Sequence, residues 1–197
     1  MQNLLVAAWG TLGWILYQQG KFEEAENYLQ ASWKNNQNAE VALHLGQLAE
    51  KRGQKQEALH RYSLGFATTR KALPAAAPMK QPDLISTVLR KRIEALKKQG
   101  FTTNNADLPG ELTKLRAFHV GSTERPNAML ECSFVIDKGK ITLLRSTNSG
   151  PVPEKDDAMI KRASFQDWIP RDSDAHLLLK GFLNCHSGTC ELITYPE

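Results

Sequence analysis

Cys185 and Cys190 bracket the tetrapeptide His-Ser-Gly-Thr near the end of a 197-residue chain. Two thiols, an imidazole and two hydroxyls in six residues can bridge, hold a metal or attack a carbonyl, so chemistry is weighed here first. On a hairpin this spacing sets the two cysteines nearly opposite each other, at a separation a disulfide spans. The closed loop is short, and the chain-entropy gain from bridging it is about 2–3 kcal/mol. A bridge favours an oxidising compartment such as the periplasm, whereas the alternative is a reduced pair in a cytosolic protein. Zinc is the weaker reading. Cys185, His186 and Cys190 would crowd three ligands onto one hairpin, a structural site takes four, and His176 joins them only if the fold brings it round. No metal or cofactor is expected. Cys132 falls on the inward stripe of an alternating segment and reads as a small core residue.

The remaining reactive groups are dispersed. Asp156-Asp157 is a pair of neighbouring carboxylates whose place at a helix start suits the helix dipole. His44, His60 and His119 are scattered, and His60 reads as a surface residue of a repeat rather than a base. The chain has no Gly-rich phosphate loop, no His-Glu-x-x-His and no nucleophile elbow. Cys–His nucleophilic chemistry needs a spatial proximity that spacing alone does not supply. The expectation is a protein that is not an enzyme.

Charge marks the architecture. The net charge is only +4, but residues 51–100 hold twelve Lys/Arg against three Asp/Glu, the first fifty two against five, and the remainder eleven against thirteen. Hydrophobic residues make up 41%, enough for packed cores. No run of about 18 purely apolar residues occurs, so no membrane span is expected. Leu4–Tyr17 is apolar, but it lacks a preceding Lys or Arg and a following small-x-small site, and it reads as a globular helix rather than a signal peptide.

Shifting the sequence by 33 residues lays "LGWILYQQGKFEEAENYL" (Leu12–Leu29) over "LGQLAEKRGQKQEALHRY" (Leu45–Tyr62). Leu12-Gly13 falls on Leu45-Gly46, Gly20 on Gly53, and Glu24-Ala25 on Glu57-Ala58. Gly13 and Gly46 would let a neighbouring helix approach closely, Gly20 and Gly53 would end a helix at positive φ, and Ala25 and Ala58 would keep the crossing thin. Trp9, Leu12-Gly13, Tyr17, Phe22, Ala25 and Tyr28 fill a pattern that resembles the tetratricopeptide repeat, over residues 6–70 or so. The second copy departs from it, with Ala42 in the Trp place and Gln54 or Lys55 in the Phe place.

Two such repeats need a cover. "PDLISTVLRKRIEALKKQG" (Pro82–Gly100) supplies one: Pro82 and Asp83 for its first turn, an apolar stripe of Leu84, Ile85, Val88, Leu89, Ile93 and Leu96, and Lys97, Lys98 and Gly100 for its end. "ALPAAAPMKQP" before it reads as a linker. The basic run "RKRIEALKK" reads as a solvated face. Phosphate binding through residues 51–98 is the minor alternative, since no aromatic interleaving and no nucleic-acid motif accompany it.

After Gly100 the periodicity changes to two. Leu130, Cys132, Phe134 and Ile136 point one way, Asp137-Lys138-Gly139 turns the chain, and Ile141 and Leu143 resume on the return. A strand at Leu112–Val120, a short helix within Asp156–Trp168 and two strands around "HSGT" complete an α+β layer. Asp137-Lys138-Gly139-Lys140-Ile141, Ser149-Gly150, the helix near Ala158–Ala163, Trp168 and Pro170 together resemble the carboxy-terminal domain of TonB-type energy transducers, over residues 112–196 or so. That family also carries a membrane anchor and a Pro-rich spacer. A repeat array stands in their place here, so only the fold and the peptide-binding sheet edge are implied.

The expected fold is thus an α-helical tetratricopeptide-type solenoid over residues 1–100, followed by a small α+β domain with an antiparallel sheet over 101–197. The expected function is an interaction module or scaffold of the bacterial cell envelope that binds a protein or peptide. The repeat resemblance places the groove on Trp14, Tyr17, Gln47, Glu50 and Lys51, although Trp14 and Tyr17 equally suit burial against an upstream repeat. The transducer resemblance implies a sheet edge, assigned here to Glu191, Ile193 and Tyr195 of the last strand. The chain also reads as the tail of a larger envelope protein, and the alternative function is a regulatory or substrate-positioning tail of a transglutaminase-like or other hydrolase or transferase.

Overall fold

Glycines punctuate the helical half at a fixed interval. In a computed structural model that describes residues 2–71, 84–103, 107–122, 128–146 and 154–195, Gly20 (φ 79°) and Gly53 (φ 75°) occupy the left-handed region that a β-carbon disfavours. Each closes a helix with the same two bonds. Gly20 N–H donates to the Tyr17 carbonyl and Lys21 N–H to that of Leu16, both at 3.0 Å; Gly53 and Gln54 do the same to Glu50 and Ala49, both at 2.9 Å. These bonds pair off orphan carbonyls of the last turn.

The stops delimit two helical hairpins, α1 (Gln2–Gln18) with α2 (Phe22–Asn35) and α3 (Ala39–Lys51) with α4 (Lys55–Lys71). Both hairpins close on a glycine. A β-carbon on Gly13 would stand 2.7 Å from Leu29 Cγ, and one on Gly46 would enter the Tyr62 ring. Ala25 and Ala58 are fully buried at the equivalent places in α2 and α4. The 33-residue pattern therefore corresponds to repeated local geometry.

Helix α5 (Leu84–Lys98) covers the second hairpin. Leu89 and Leu96 are buried in one cluster with Leu43, Leu59 and Tyr62, and Ile85, Val88 and Ile93 pack against it. Leu84 is exposed, so the apolar stripe starts one residue later than its pattern implied. Pro82, Asp83 and the linker at 72–82 lie outside the described residues. Gly100 repeats the glycine stop, with Phe101 N–H donating to the Leu96 carbonyl at 3.3 Å.

Two compact units divide the chain, Val6–Leu112 and Thr113–Glu197 with Met1–Leu5. The boundary falls after Leu112 rather than after Gly100, because residues 108–112 of a further helix, α6 (Leu108–Lys114), stay with the helical unit. Leu112 is fully buried and its carbonyl accepts from Gln37 Nε2 at 2.8 Å, while Glu111 pairs with His60 at 2.6 Å. This helix also displaces the strand expected from Leu112. Asp107 caps it by accepting from Gly110 N–H at 3.1 Å, and the strand begins only at Ala117.

The second unit is a five-stranded antiparallel sheet in the order β1-β5-β4-β2-β3, made of β1 (Ala117–Ser122), β2 (Ala128–Asp137), β3 (Lys140–Ser146), β4 (His176–His186) and β5 (Thr189–Thr194). Its two hairpins turn on Lys138-Gly139 and Ser187-Gly188, all four at positive φ, the geometry whose twist matches paired strands. On β2, Cys132, Phe134 and Ile136 are buried, as the alternation requires. On β3 the inward residues are Ile141 and Leu144. The register slips between Val135↔Leu143 and Ile136↔Ile141, leaving Thr142 as an extra residue that changes the phase. The Leu143 side chain, expected inward, lies outside the described residues.

Helix α7 (Glu154–Lys161) and a 3-10 turn at Gln166–Trp168 line the inner face of the sheet. Ile160 is buried, and Phe118 packs on Phe165 and Trp168 with ring centroids 4.5 Å away in both cases. Ser149-Gly150 lies outside the described residues.

The last strand is not an edge. Segment 191–195 was expected to expose unpaired backbone, but β5 bonds to β4 on one side and to β1 on the other, with Phe118↔Leu192 and His119↔Glu191 in register. Strand addition at Glu191 and Ile193 is thereby excluded, because β1 already occupies that position, and Tyr195 lies beyond β5 with its N–H donating to the Lys180 carbonyl of β4 at 3.0 Å. The face alternation does hold: Leu192 and Thr194 are buried, and Glu191 and Tyr195 are exposed.

Candidate functional site

A cavity of about 200 Å³ opens in the helical unit between α1, the end of α2 and the start of α3. Its polar lining comes from Thr11, Asn36, Asn38 and Glu40, and its walls from Trp14 and His44 among others. The positions follow from local chemistry. Asn38 caps α3 by accepting from Glu40 N–H at 2.8 Å, which fixes the turn that carries Asn36 and Asn38. Ser32 donates to the Val6 carbonyl at 2.9 Å and ties α2 to α1 beneath the cavity. A β-carbon on Gly10 would meet Ser32 and Val41 at 3.1 and 3.2 Å, so that wall is thin by necessity.

Three rings stack beside the cavity. Trp14 lies parallel to His44 with centroids 4.1 Å apart and parallel to Tyr17 with centroids 4.9 Å apart; Tyr17 also meets Phe22 at 5.7 Å. Burial lowers the His44 pKa from 6.5 to about 4, so the imidazole is neutral near pH 7. Its Nδ1 is buried and has no hydrogen-bond partner among the described residues.

The expected groove residues divide into three kinds. Trp14 and Tyr17 are half-buried and contribute to the stack, with Trp14 at the cavity itself. Gln47 is half-buried, and its side-chain oxygen has no hydrogen-bond partner among the described residues. Glu50 serves the interior of the unit: it accepts from the Tyr62 hydroxyl at 2.5 Å and pairs with Arg92 at 3.1 Å, so it joins α3 to α4 and α5. Lys51 is exposed. Asn38 and Glu40 were not singled out from the sequence, and His44 was read only as one of several scattered histidines. Nothing in the run "NNQNAE" announces a cavity.

In the sheet unit, Cys185 and Cys190 face each other in register at a Cα–Cα distance of 4.1 Å and are disulfide-bonded. Both are buried. Cys132 is a free, buried thiol whose pKa burial raises to about 11, which holds it as the less reactive thiol form. His176 lies on β4 beside Asp137 at 3.5 Å, and Asp157 pairs with Lys161 within α7 at 2.8 Å. Among the described residues no group of three or more His, Cys, Asp or Glu is placed to hold a metal, and no helix is long and apolar enough to cross a membrane.

Fold and cavity together define a chain of helical hairpins joined to a small antiparallel α+β layer, with a pocket the size of one side chain on its helices. No family model, no curated protein and no solved structure matches it.

Proposed function

We propose that this chain is a non-catalytic interaction module of the bacterial cell envelope, built from tetratricopeptide-type repeats and a domain like the carboxy-terminal domain of TonB-type transducers, and that its helical unit binds a segment of a partner protein. The cavity between α1 and α3 carries the reading. At about 200 Å³ it is smaller than the roughly 300–1,000 Å³ of small-molecule sites. It suits one side chain of a docked peptide.

Among the described residues of its lining, Glu40 is the charged one. The anchor side chain is therefore a hydrogen-bond donor, a lysine or arginine of the partner, with its stem along Val6 and Val41. The envelope assignment rests on the bridged Cys185–Cys190 pair, a bond that persists in oxidising compartments. The repeat assignment rests on the geometry shared by Gly13, Gly20 and Gly46, Gly53.

A random peptide library displayed on phage tests the reading. Selection on this chain is expected to enrich peptides with a basic anchor. Their binding should fall at least tenfold for Glu40→Lys while the chain stays folded, with a melting temperature lower by a few degrees from the reversed charge in the first turn of α3. Enriched peptides that bind Glu40→Lys equally well, or no enrichment, would remove the cavity as the binding site.

A further inference from the structure

The 33-residue repeat lets the open side of α1 be compared with the same side of α3. Helix α1 has no charged residue along Gln2–Gln18. Ala8, Thr11, Leu12 and Ile15 stand on its solvent side, with Leu12 38% and Ile15 46% exposed. Their equivalents one repeat later are Val41, His44, Leu45 and Leu48, which are 7%, 9%, 4% and 2% exposed. The same positions are thus open in the first hairpin and closed in the second.

The first hairpin helps to close them. Val41 meets the thin wall at Gly10, and His44 stacks on Trp14. Nothing in the described helical unit plays that part for α1. The opposite end of the unit differs, since α5 presents Arg90, Lys91, Glu94, Lys97 and Lys98 to solvent. One end is charged and the other is apolar.

We infer that the exposed face of α1 is a stacking surface for a further helical hairpin in the same 33-residue register. The occupant presents a small residue, as Gly10 does, opposite Ala8, and a flat ring, as Trp14 does, over Thr11. A second copy of the chain does not supply this surface head to tail. Its own first hairpin is already covered by α3, and its far end offers the charged face of α5. Burying Leu12 and Ile15 removes apolar area from water, and in stacked hairpins that interface term is a main source of stability. The inference rests on the repeat geometry, and the stacking face shares with the cavity lining Thr11 at its rim.

Inserting a second copy of residues 6–38 directly before Val6 in the full chain tests it. The duplicate ends on Asn38, which would cap the helix at Val6 as it caps α3. The expected result is added helical circular dichroism, a melting temperature higher by about 5 °C or more, and slower amide exchange at Leu12 and Ile15. Leu12→Glu with Ile15→Glu should abolish the gain in the duplicated chain and leave the parent within about 2 °C. An added segment that stays unprotected, with no gain in melting temperature, overturns the inference. So does sedimentation of the parent as a dimer that Ile15→Glu dissociates, because the face would then belong to a second copy.

Discussion

The helical unit and the sheet unit hold themselves together in different ways. In the helical unit the decisive contacts are close in sequence: Gly13 on Leu29, Gly46 on Tyr62, and glycine stops after each first helix. In the sheet unit they are distant: β1 reaches β5 across Ala117↔Ile193, and β2 pairs with β4 across Ala128↔Cys185. A local pattern can be repeated and read, whereas a long-range one must be assembled before any of it is stable. The cavity lies in the first kind of unit and the covalent bridge in the second.

The two kinds of cohesion respond to different perturbations, and the largest response comes from either core. Trp33 and Phe134 are both fully buried, so Trp33→Ala and Phe134→Ala should each cost about 3–5 kcal/mol. Hydrogen exchange resolved along the chain is the check. Loss of protection confined to residues 6–112 for the first and 113–195 for the second would sharpen the contrast. Uniform loss for either would break it.

Acid should act next, and on the helical unit. The pKa of His44 is about 4 when folded and ordinarily 6.5, so between those values the unfolded chain takes up a proton that the folded chain does not. This residue's contribution is intact above pH 6.5 and is lost as pH falls towards 4, by about 3 kcal/mol at the low end. Urea titrations at pH 7.5 and 4.5 should show His44→Gln losing markedly less stability than the parent over that interval.

Removing the bridge should act on the sheet unit alone. Cys185→Ala with Cys190→Ala is expected to cost about 2 kcal/mol, the entropy of closing a short loop. Peptide mapping under non-reducing conditions should recover Cys185 and Cys190 as one linked peptide, with Cys132 alkylated only after unfolding. The smallest effect belongs to Gly53→Ala, about 1 kcal/mol, from forcing a β-carbon into the left-handed region. The same change at Gly20 should match it, since the two stops share one geometry.

What the sequence disclosed follows the same division. The offset between Gly20 and Gly53 predicted where helices end, because positive φ is a property of one residue and needs no partner. The Cys185–Cys190 pairing was legible for a similar reason, being set by one tight turn. The place of β5 was not, because β1 joins it from more than sixty residues away and pairing partners leave no periodic mark. The bulge at Thr142 was equally silent, since one extra residue reverses the inward phase without altering composition. Trp14 and Tyr17 were singled out through the repeat resemblance, and of the two Trp14 lines the cavity. His44 was missed because it matters only where it lies, against Trp14 and beside Glu40.

Backbone amide spectra of the labelled chain, titrated with a selected peptide carrying a single lysine or arginine anchor, address the proposed site most directly. Saturable shifts that cluster on Thr11, Trp14, Asn38, Glu40 and His44, and that vanish when the peptide's basic residue is replaced by glutamine, are the result expected. Shifts centred on the sheet unit, or shifts that survive the loss of the basic anchor, would contradict a binding site between α1 and α3.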